Sequence, residues 1–482
     1  MASPGGGYSK FPWWKKVLFV WTHDGSAAFA KYINDWAFDP LAVIPVAFLF
    51  FISIAVAVDP QAVEATLAMV IFLSPIWLPL FLFVFFWVTW MHYIRFLFWF
   101  KAEMCLLEIQ LPPEVTKSPL AMELFLTSLH NAGGEATFIA RIWKGSFRPI
   151  WSLEIASNEG RIGFYIHLRR NWRSIIEARL YGQFPEAKIT EVEDYVHKVP
   201  FNLEEYDIFG AEYSKGEPQA LPIKSYIDYG LDKNTDTPEI QIDPITNLVE
   251  LLGNIGKDQY FWMQIIVKPF KKEEWYGFYR SHDPFKEGAK KGIADITNKA
   301  IARAQELTGD EAEKKKVGTR GAMLLSPGEK NQVEAIERSL TKLLFECGVR
   351  VLYISKNTVS SRDPYHGTNN GALIRFFDAY KQPGYNGLGV TSRLSTYFDY
   401  PWQDWMDIRQ NIEKRNAWFR YKHRAYFYVP YDQVPVYMTT EELATIWHFP
   451  SSVVKTPALD RVPSRRSEAP INLPTGPSNL PV

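Results

Sequence analysis

Only two cysteines, Cys105 and Cys347, occur in 482 residues. Neither has a CxxC partner or a histidine cluster beside it, so the sequence offers no basis for a zinc site or a disulfide framework. They read as buried thiols in a reducing compartment. An excess of either charge is also missing. The 53 basic and 53 acidic side chains cancel, so no global field directs the chain to nucleic acid or an acidic substrate. There is no GxxxxGK[ST], HExxH, GxSxG or GxGxxG. The nearest approach to a phosphate loop, Gly318-Thr319-Arg320-Gly321-Ala322, lacks the lysine and the following hydroxyl and reads as a helix break. The nine histidines are scattered, with none three or four residues from another His or a Cys. No catalytic residue, cofactor or metal is expected on these grounds.

Apolar length is what the chain has instead. Leu41–Val58 runs 18 residues without a charge, and Leu67–Ile94 is uncharged up to Arg95. Crossing a hydrocarbon core takes about 20 apolar residues. The expectation is a transmembrane hairpin over 41–100, with spans at about 41–58 and 67–94, after a juxtamembrane segment 1–40. Forty residues precede the first run, which argues against a cleaved signal peptide. Lys10, Lys15, Lys16 and Lys31 precede the hairpin, and Arg95 and Lys101 follow it. Its loop holds only Asp59 and Glu64. The positive-inside rule then predicts a multi-pass protein of the cell (inner) membrane with both termini cytoplasmic. Trp13, Trp14, Trp87, Trp90, Tyr93 and Arg95 are the expected membrane-interface residues. Phe11–Val20 is a candidate to lie along the inner leaflet. Pro75 and Pro79 are expected to kink the second span. His92 reads as an interfacial residue, not a proton relay.

Beyond the membrane part the periods change. Met104–Leu111 alternates as a strand, and Ser118-Pro119 opens a helix burying Met122, Phe125, Leu126 and Leu129. Ile150–Ala156 and Arg161–Leu168 flank Ser157-Asn158-Glu159-Gly160, a hairpin signal. Asn171 is expected to cap a helix with Trp172, Ile175, Ile176 and Leu180 inward, and Ala187–Tyr195 to close the set as a strand. The order βαββαβ is the ferredoxin-like motif. A second, stretched copy is expected from a strand at Leu221–Tyr229, a helix after Asp243-Pro244 and a strand at Gln259–Phe270. A helical insertion at about 272–347 follows, its last helix turning Val333, Ile336, Leu340, Leu343 and Leu344 inward. Strand Val349–Ser355, helix Gly371–Tyr380 and strand His423–Tyr431 complete it. The fold class is therefore α+β, with a two-helix transmembrane hairpin and two tandem ferredoxin-like domains, 101–200 and 201–449. A Pro-rich tail, 450–482, follows.

Three charged groups invite chemistry. Glu191 and Glu193 share one face of a strand with Asp194 on the other, but no third oxygen ligand is evident on that face, so a solvated face is expected. Lys286, Lys290, Lys291, Lys299 and Arg303 are balanced by Glu306, Asp310, Glu311 and Glu313 and read as a solvated helix surface. Arg169, Arg170 and Arg173 are read as facing solvent. The tail splits in two. Thr439 and Glu442 form a capping-box pattern, with Leu443, Ile446, Trp447 and Phe449 as an apolar face that docks on the second domain. From Pro450 onward, seven prolines in 33 residues favour extended chain.

Several of these stretches carry a resemblance. LLEIQLPPEVTKSPLAMELFLTSLHN, FRPIWSLEIASNEGRIGFYIHL, IIEARLYGQFPEAKITEVEDY and LPIKSYIDYGLD resemble an uncharacterised bacterial membrane-protein family of the candidate-phyla type. DPITNLVELLGNIGKDQYFWMQIIV and TTEELATIWHFPSSVVKTPALDRVPSRRSEAPINLP do so too, and together they span residues 104–475. The resemblance implies members that occur alone or as the N-terminal part of larger proteins. In those, the Pro-rich NLP run leads into an ATPase of the conjugation, or type IV secretion, class. This chain stops after Pro481-Val482 with no Walker motif, so no ATPase activity carries over. The implied function is a non-enzymatic membrane component of a type IV secretion-like or DNA-translocation system. Its expected partners are the membrane, a separate ATPase and further copies, with nucleic acid met only indirectly. Pro457, Arg461, Pro463, Arg465 and Arg466 are the candidate partner-binding residues. The alternatives are a membrane enzyme acting on lipid or envelope precursors, or a regulatory module that binds nucleic acid.

Overall fold

The computed structural model describes residues 49–54, 56–112, 117–131, 133, 137–199, 201–216, 218–232, 243–271, 275–276, 279–280, 283–306, 325–360, 376–393, 408–427 and 433–450. The expectations for Trp13, Trp14, Phe11–Val20 and the tail beyond Pro450, Pro457, Arg461, Pro463, Arg465 and Arg466 included, lie outside the described residues. Two compact units are distinguished, one drawn from Met1–Trp90 with Thr396–Glu413, the other from Met91–Ser395 with Lys414–Val482.

The apolar segments divide differently from expectation. A helical stretch Leu49–Val58 is followed at once by a helix Pro60–Phe72. Of the loop expected at Asp59–Thr66, all but Asp59 is therefore helical. Its cause is local: Asp59 accepts the Ala62 N–H at 3.0 Å as N-cap, and Pro60 stands at the first helical position. The second apolar run breaks at Leu73, and a new helix spans Ser74–Phe100. Pro75 explains the break, since its missing N–H cannot continue the preceding helix, whereas Pro79 is accommodated inside the new one. Ser74–Phe100 is the helix among the described residues long and apolar enough to cross a membrane, with a mean hydropathy of 1.7. At 27 residues it reaches about 40 Å. Its side chains are exposed almost all round, and only Ile94 and Trp99 are buried.

In the second unit a mixed α+β arrangement is built on one large antiparallel sheet. Its strands are β1 (Met104–Gln110), β2 (Trp151–Asn158), β3 (Arg161–Arg169), β4 (Lys188–Val192), β5 (Tyr206–Lys215), β6 (Gln259–Pro269), β7 (Leu344–Lys356), β8 (Leu388–Arg393) and β9 (Val436–Thr439). The spatial order is β8-β5-β7-β6-β2-β3-β1-β4, with β9 paired to one end of β7. Strands β1 to β4, with helices Pro119–Leu129 and Arg173–Gln183, stand in the order β4-β1-β3-β2. Strands β5 to β8 repeat that order as β8-β5-β7-β6. The halves join edge to edge where β2 pairs β6 from Trp151↔Val267 to Asn158↔Tyr260. The hairpin between β2 and β3 turns at Glu159 (φ 53°) and Gly160 (φ 88°), the two positive angles of a two-residue turn.

Strict alternation gives the sheet two different faces. Leu153, Ile155, Phe164, Ile166, Met263 and Val349 enter one large apolar core under the helices. The opposite face carries Ser152, Glu154, His167, Gln264 and Arg350, covered in part by Ala417, Trp418 and Tyr421 of helix Ile408–Lys422.

Three expected elements are corrected. Leu221–Tyr229 is no strand: Ile223 makes an isolated bridge to Asn386, turns follow from Tyr226 with Ser225 donating to Asp228 at 3.0 Å, and the strand is β5 instead. The polar β5 residues are stabilised by pairing: Asp207 with Lys414, Glu212 with Arg420 and Lys215 with Glu442. His423–Phe427 is a turn and bend, with 428–431 outside the described residues, and β8 takes the expected strand's place. Of the expected helix Gly371–Tyr380, residues 371–375 lie outside the described residues and Phe376–Tyr380 form a 3-10 turn. The helical insertion is present as Pro284–Glu306 and Pro327–Thr341, but β7 begins at Leu344 and Leu340 and Leu343 are exposed. Asn171 lies in a 3-10 turn, Arg170–Trp172, ahead of its helix.

Candidate functional site

The polar face of the sheet converges on Glu154, at the centre of β2 and fully buried. A carboxylate in such a place is costly unless every lone pair is used. Arg424 supplies a fork, with Nε to Glu154 Oε1 at 2.9 Å and Nη2 to Oε2 at 3.0 Å. Ser152 Oγ and Gln264 Nε2 donate to Oε1 at 2.6 and 2.9 Å, and Tyr195 Oη donates to Oε2 at 2.7 Å. The same guanidinium reaches Asp194, so it ties the middle of the sheet to the segment leaving edge strand β4. Tyr195 Oη and Tyr421 Oη lie 2.8 Å apart, which closes the network against helix Ile408–Lys422.

Arg424 reaches this position through the end of that helix. The Arg424 N–H bonds to Tyr421 O and the Ala425 N–H to Arg420 O, the two bonds of a Schellman ending. Arg424 holds the left-handed position (φ 50°) usually given to glycine. No glycine marks the site in the sequence, and Asp194 was expected on a solvated strand face. Instead β4 ends at Val192, Asp194 caps the following 3-10 turn by accepting the Val196 N–H, and its carboxylate turns inward. Glu191 is not free either, because Arg170 and Arg173 both pair with it. Arg169, expected in solvent, lies over the Phe98 and Phe147 rings at 4.5 and 5.0 Å.

Beside the network opens a cleft of about 360 Å³. Trp99 and Phe100, the last residues of helix Ser74–Phe100, wall one side, and His167, Lys422, His423 and Glu191 are among the polar walls. Burial, then the nearby Arg424 charge, lowers the His167 pKa to about 3. Its ring is partly open to the cleft, so its weight in stability is less than full burial implies. His423 is lowered by burial and by Lys422, while burial and Glu191 raise the Cys105 thiol. At neutral pH His167 is thus a neutral imidazole and Cys105 a protonated thiol, able to hydrogen-bond but without a thiolate nucleophile. Burial alone works to raise Glu154 and Asp194, but the Arg424 charge and hydrogen bonds outweigh it and both are lowered. Among the described residues no group of three or more His, Cys, Asp or Glu is placed to hold a metal ion.

The expected interface residues Trp87, Trp90, Tyr93 and Arg95 all lie on helix Ser74–Phe100; Trp87, Tyr93 and Arg95 are exposed and Trp90 is half-buried. Lys286, Lys290 and Lys291 lie on helix Pro284–Glu306, where Arg303 pairs with Glu329 across to helix Pro327–Thr341.

Fold and site together define an α+β protein with one large antiparallel sheet, a buried ionic hub and an apolar helix near the N-terminus. Residues 101–462 match the family described as a domain of unknown function, DUF8128, and the chain belongs to that family. No curated protein matches it.

Proposed function

We propose that the chain is a membrane-anchored assembly component of a type IV secretion-like or DNA-translocation system, acting without chemistry of its own and meeting a separate ATPase through its Pro-rich tail. In this reading helix Ser74–Phe100 is one span, the preceding apolar segments supply the other, and the termini are cytoplasmic. Each half of the sheet is a ferredoxin-like unit, a reading supported by the repeated strand order.

The observation that carries the proposal is the seat of helix Thr440–Ile446, from which the tail departs. Every residue of that helix is buried. Glu442 accepts from Lys215 at 2.8 Å and from the Ile223 N–H at 3.0 Å, Thr440 donates to Glu123 on the other half, and Trp447 and Phe449 pack on Phe164. A load on the tail therefore passes into both halves of the sheet, which suits a tether to a motor. The test is affinity purification of full-length tagged protein from native membranes after crosslinking. Recovery of a secretion-type ATPase, weakened by deleting Ser451–Val482, is expected. Recovery of no such ATPase would sink the reading.

The cleft favours one alternative. A polar cavity beside Trp99 and Phe100, with Lys422 and His423 in its wall, is where an enzyme acting on lipid or envelope precursors would bind a headgroup. Turnover of a membrane lipid extract that is lost in His423→Ala would favour that reading instead.

A further inference from the structure

A short helix, Phe138–Ile142, stands outside everything described so far, and it exposes large apolar side chains. Phe138, Ile139 and Trp143 are 61%, 60% and 65% exposed. At 100° per residue, Phe138, Ile142, Ile139 and Trp143 fall within an arc of about 140°, while Arg141 and Lys144 fall outside it. The loop is fixed. Thr137 accepts the Ala140 N–H at 3.1 Å, and the Trp143 and Lys144 N–H groups bond to Ile139 O. Gly145 (φ 64°) then packs so closely on the Ile94 carbonyl that a Cβ would collide with it. Phe147 continues the contact, 5.3 Å from the Phe98 ring and stacked on Trp99 at 5.8 Å. The loop that follows the arc is thus packed on the last turns of the apolar helix, where Arg95 and, just past its end, Lys101 are exposed.

We propose that Phe138–Trp143 is a second membrane anchor, its apolar arc inserted into the interfacial zone of the leaflet where helix Ser74–Phe100 ends, with Arg141 and Lys144 meeting anionic phospholipid. The inference rests on the reading that this helix spans the bilayer. Three things select lipid over a protein groove. The loop that carries the patch packs, through Gly145 and Phe147, on the end of an apolar helix. The patch combines Trp and Phe with basic residues, the pairing that suits a headgroup boundary. It is also too small for a stable protein interface on its own.

The test uses full-length protein in nanodiscs of mixed zwitterionic and anionic phospholipid, with an environment-sensitive fluorophore on a single introduced cysteine. Native Cys105 and Cys347 are buried. Labels go on Phe138→Cys and Ile139→Cys, on Val84→Cys within the apolar helix, and on Ile175→Cys as an exposed control. Lipids brominated near the headgroup are expected to quench positions 138 and 139 by about twofold or more, and to leave 175 unchanged. Quenching at 84 by deep bromines without quenching at 138 and 139 overturns the anchor while leaving the span intact. No quenching at any position overturns both. Quenching at 138 and 139 alone removes the span and so overturns a second anchor placed where that span ends, leaving only a peripheral contact. Self-quenching that depends on protein density in brominated-lipid-free discs, with no bromine effect, assigns the patch to a second copy and overturns the lipid proposal.

Discussion

Arg424 sets two effects against each other. Its left-handed backbone costs about 1 kcal/mol relative to glycine, whereas leaving the buried carboxylates of Glu154 and Asp194 without their cation costs about 3–5 kcal/mol. The second term wins, so Arg424→Gly is expected to destabilise despite relieving the backbone, and Arg424→Met to do so more. Urea midpoints of the two variants and the wild type check this, and a Gly variant at least as stable as wild type would show the ion pairs to be idle. The same hub fixes the acid response. His167 is neutral when folded down to a pKa of about 3, but titrates near 6.5 when unfolded. The unfolded state therefore binds more protons between those values, and stability falls as pH drops through that window. Glu154 and Asp194, both lowered, add a further loss as pH falls below about 4.5, the ordinary carboxylate range. His167→Gln should lower the urea midpoint less between pH 7 and pH 5 than wild type does. A parallel decline in both proteins would remove His167 from the account.

Helix Thr440–Ile446 was legible in the sequence because its signal is local: Thr439 accepts the Glu442 N–H at 3.2 Å and Glu442 returns to the Thr439 N–H at 2.9 Å. Strands β1, β2, β3 and β6 were legible for the same reason, since alternation and a turn signal sit within one stretch of chain. What escaped was held by distant partners. Strand β5 reads as polar because Lys215 and Glu212 are charged, and only Glu442 and Arg420 explain their burial. Strand β8, with Gly389 and Ser392 in six residues, shows no alternation at all. The hub was invisible because its members are 230 and 270 residues apart in sequence. Partnership across the chain also predicts how the tail helix fails. Thr439→Ala removes one cap and is expected to cost about 1 kcal/mol. Lys215→Met strands Glu442, whose side chain is 1% exposed, and is expected to cost about 3–5 kcal/mol. Thermal unfolding of both variants tests the ranking, which a larger loss in Thr439→Ala would reverse.

Across the whole second unit, the boundary at residue 200 separates the chain in sequence but not in packing. The β2–β6 seam pairs eight residues of each half in register, from Trp151↔Val267 to Asn158↔Tyr260. Side chains stitch it further, with Trp262 Nε1 donating to Asn158 at 2.9 Å and Ser157 donating to Leu252 O at 2.8 Å. One apolar core holds Met122 and Phe125 from the first half together with Leu252 and Val349 from the second. Separating the halves would expose that core and a row of unpaired backbone groups on β2 and β6 together, which leaves neither half a stable way to persist alone. Full-length protein in detergent should therefore lose its sheet in a single cooperative transition. Met122→Ala and Leu252→Ala, each truncating a side chain buried in its own half, should each cost about 2–5 kcal/mol. Both should shift that one transition as a whole. Independent halves would behave otherwise, with Met122→Ala splitting off an early step and leaving a later one at the wild-type temperature. Calorimetry of the two variants distinguishes these outcomes, because only a shared seam lets damage beside β1 lower the melting of β7.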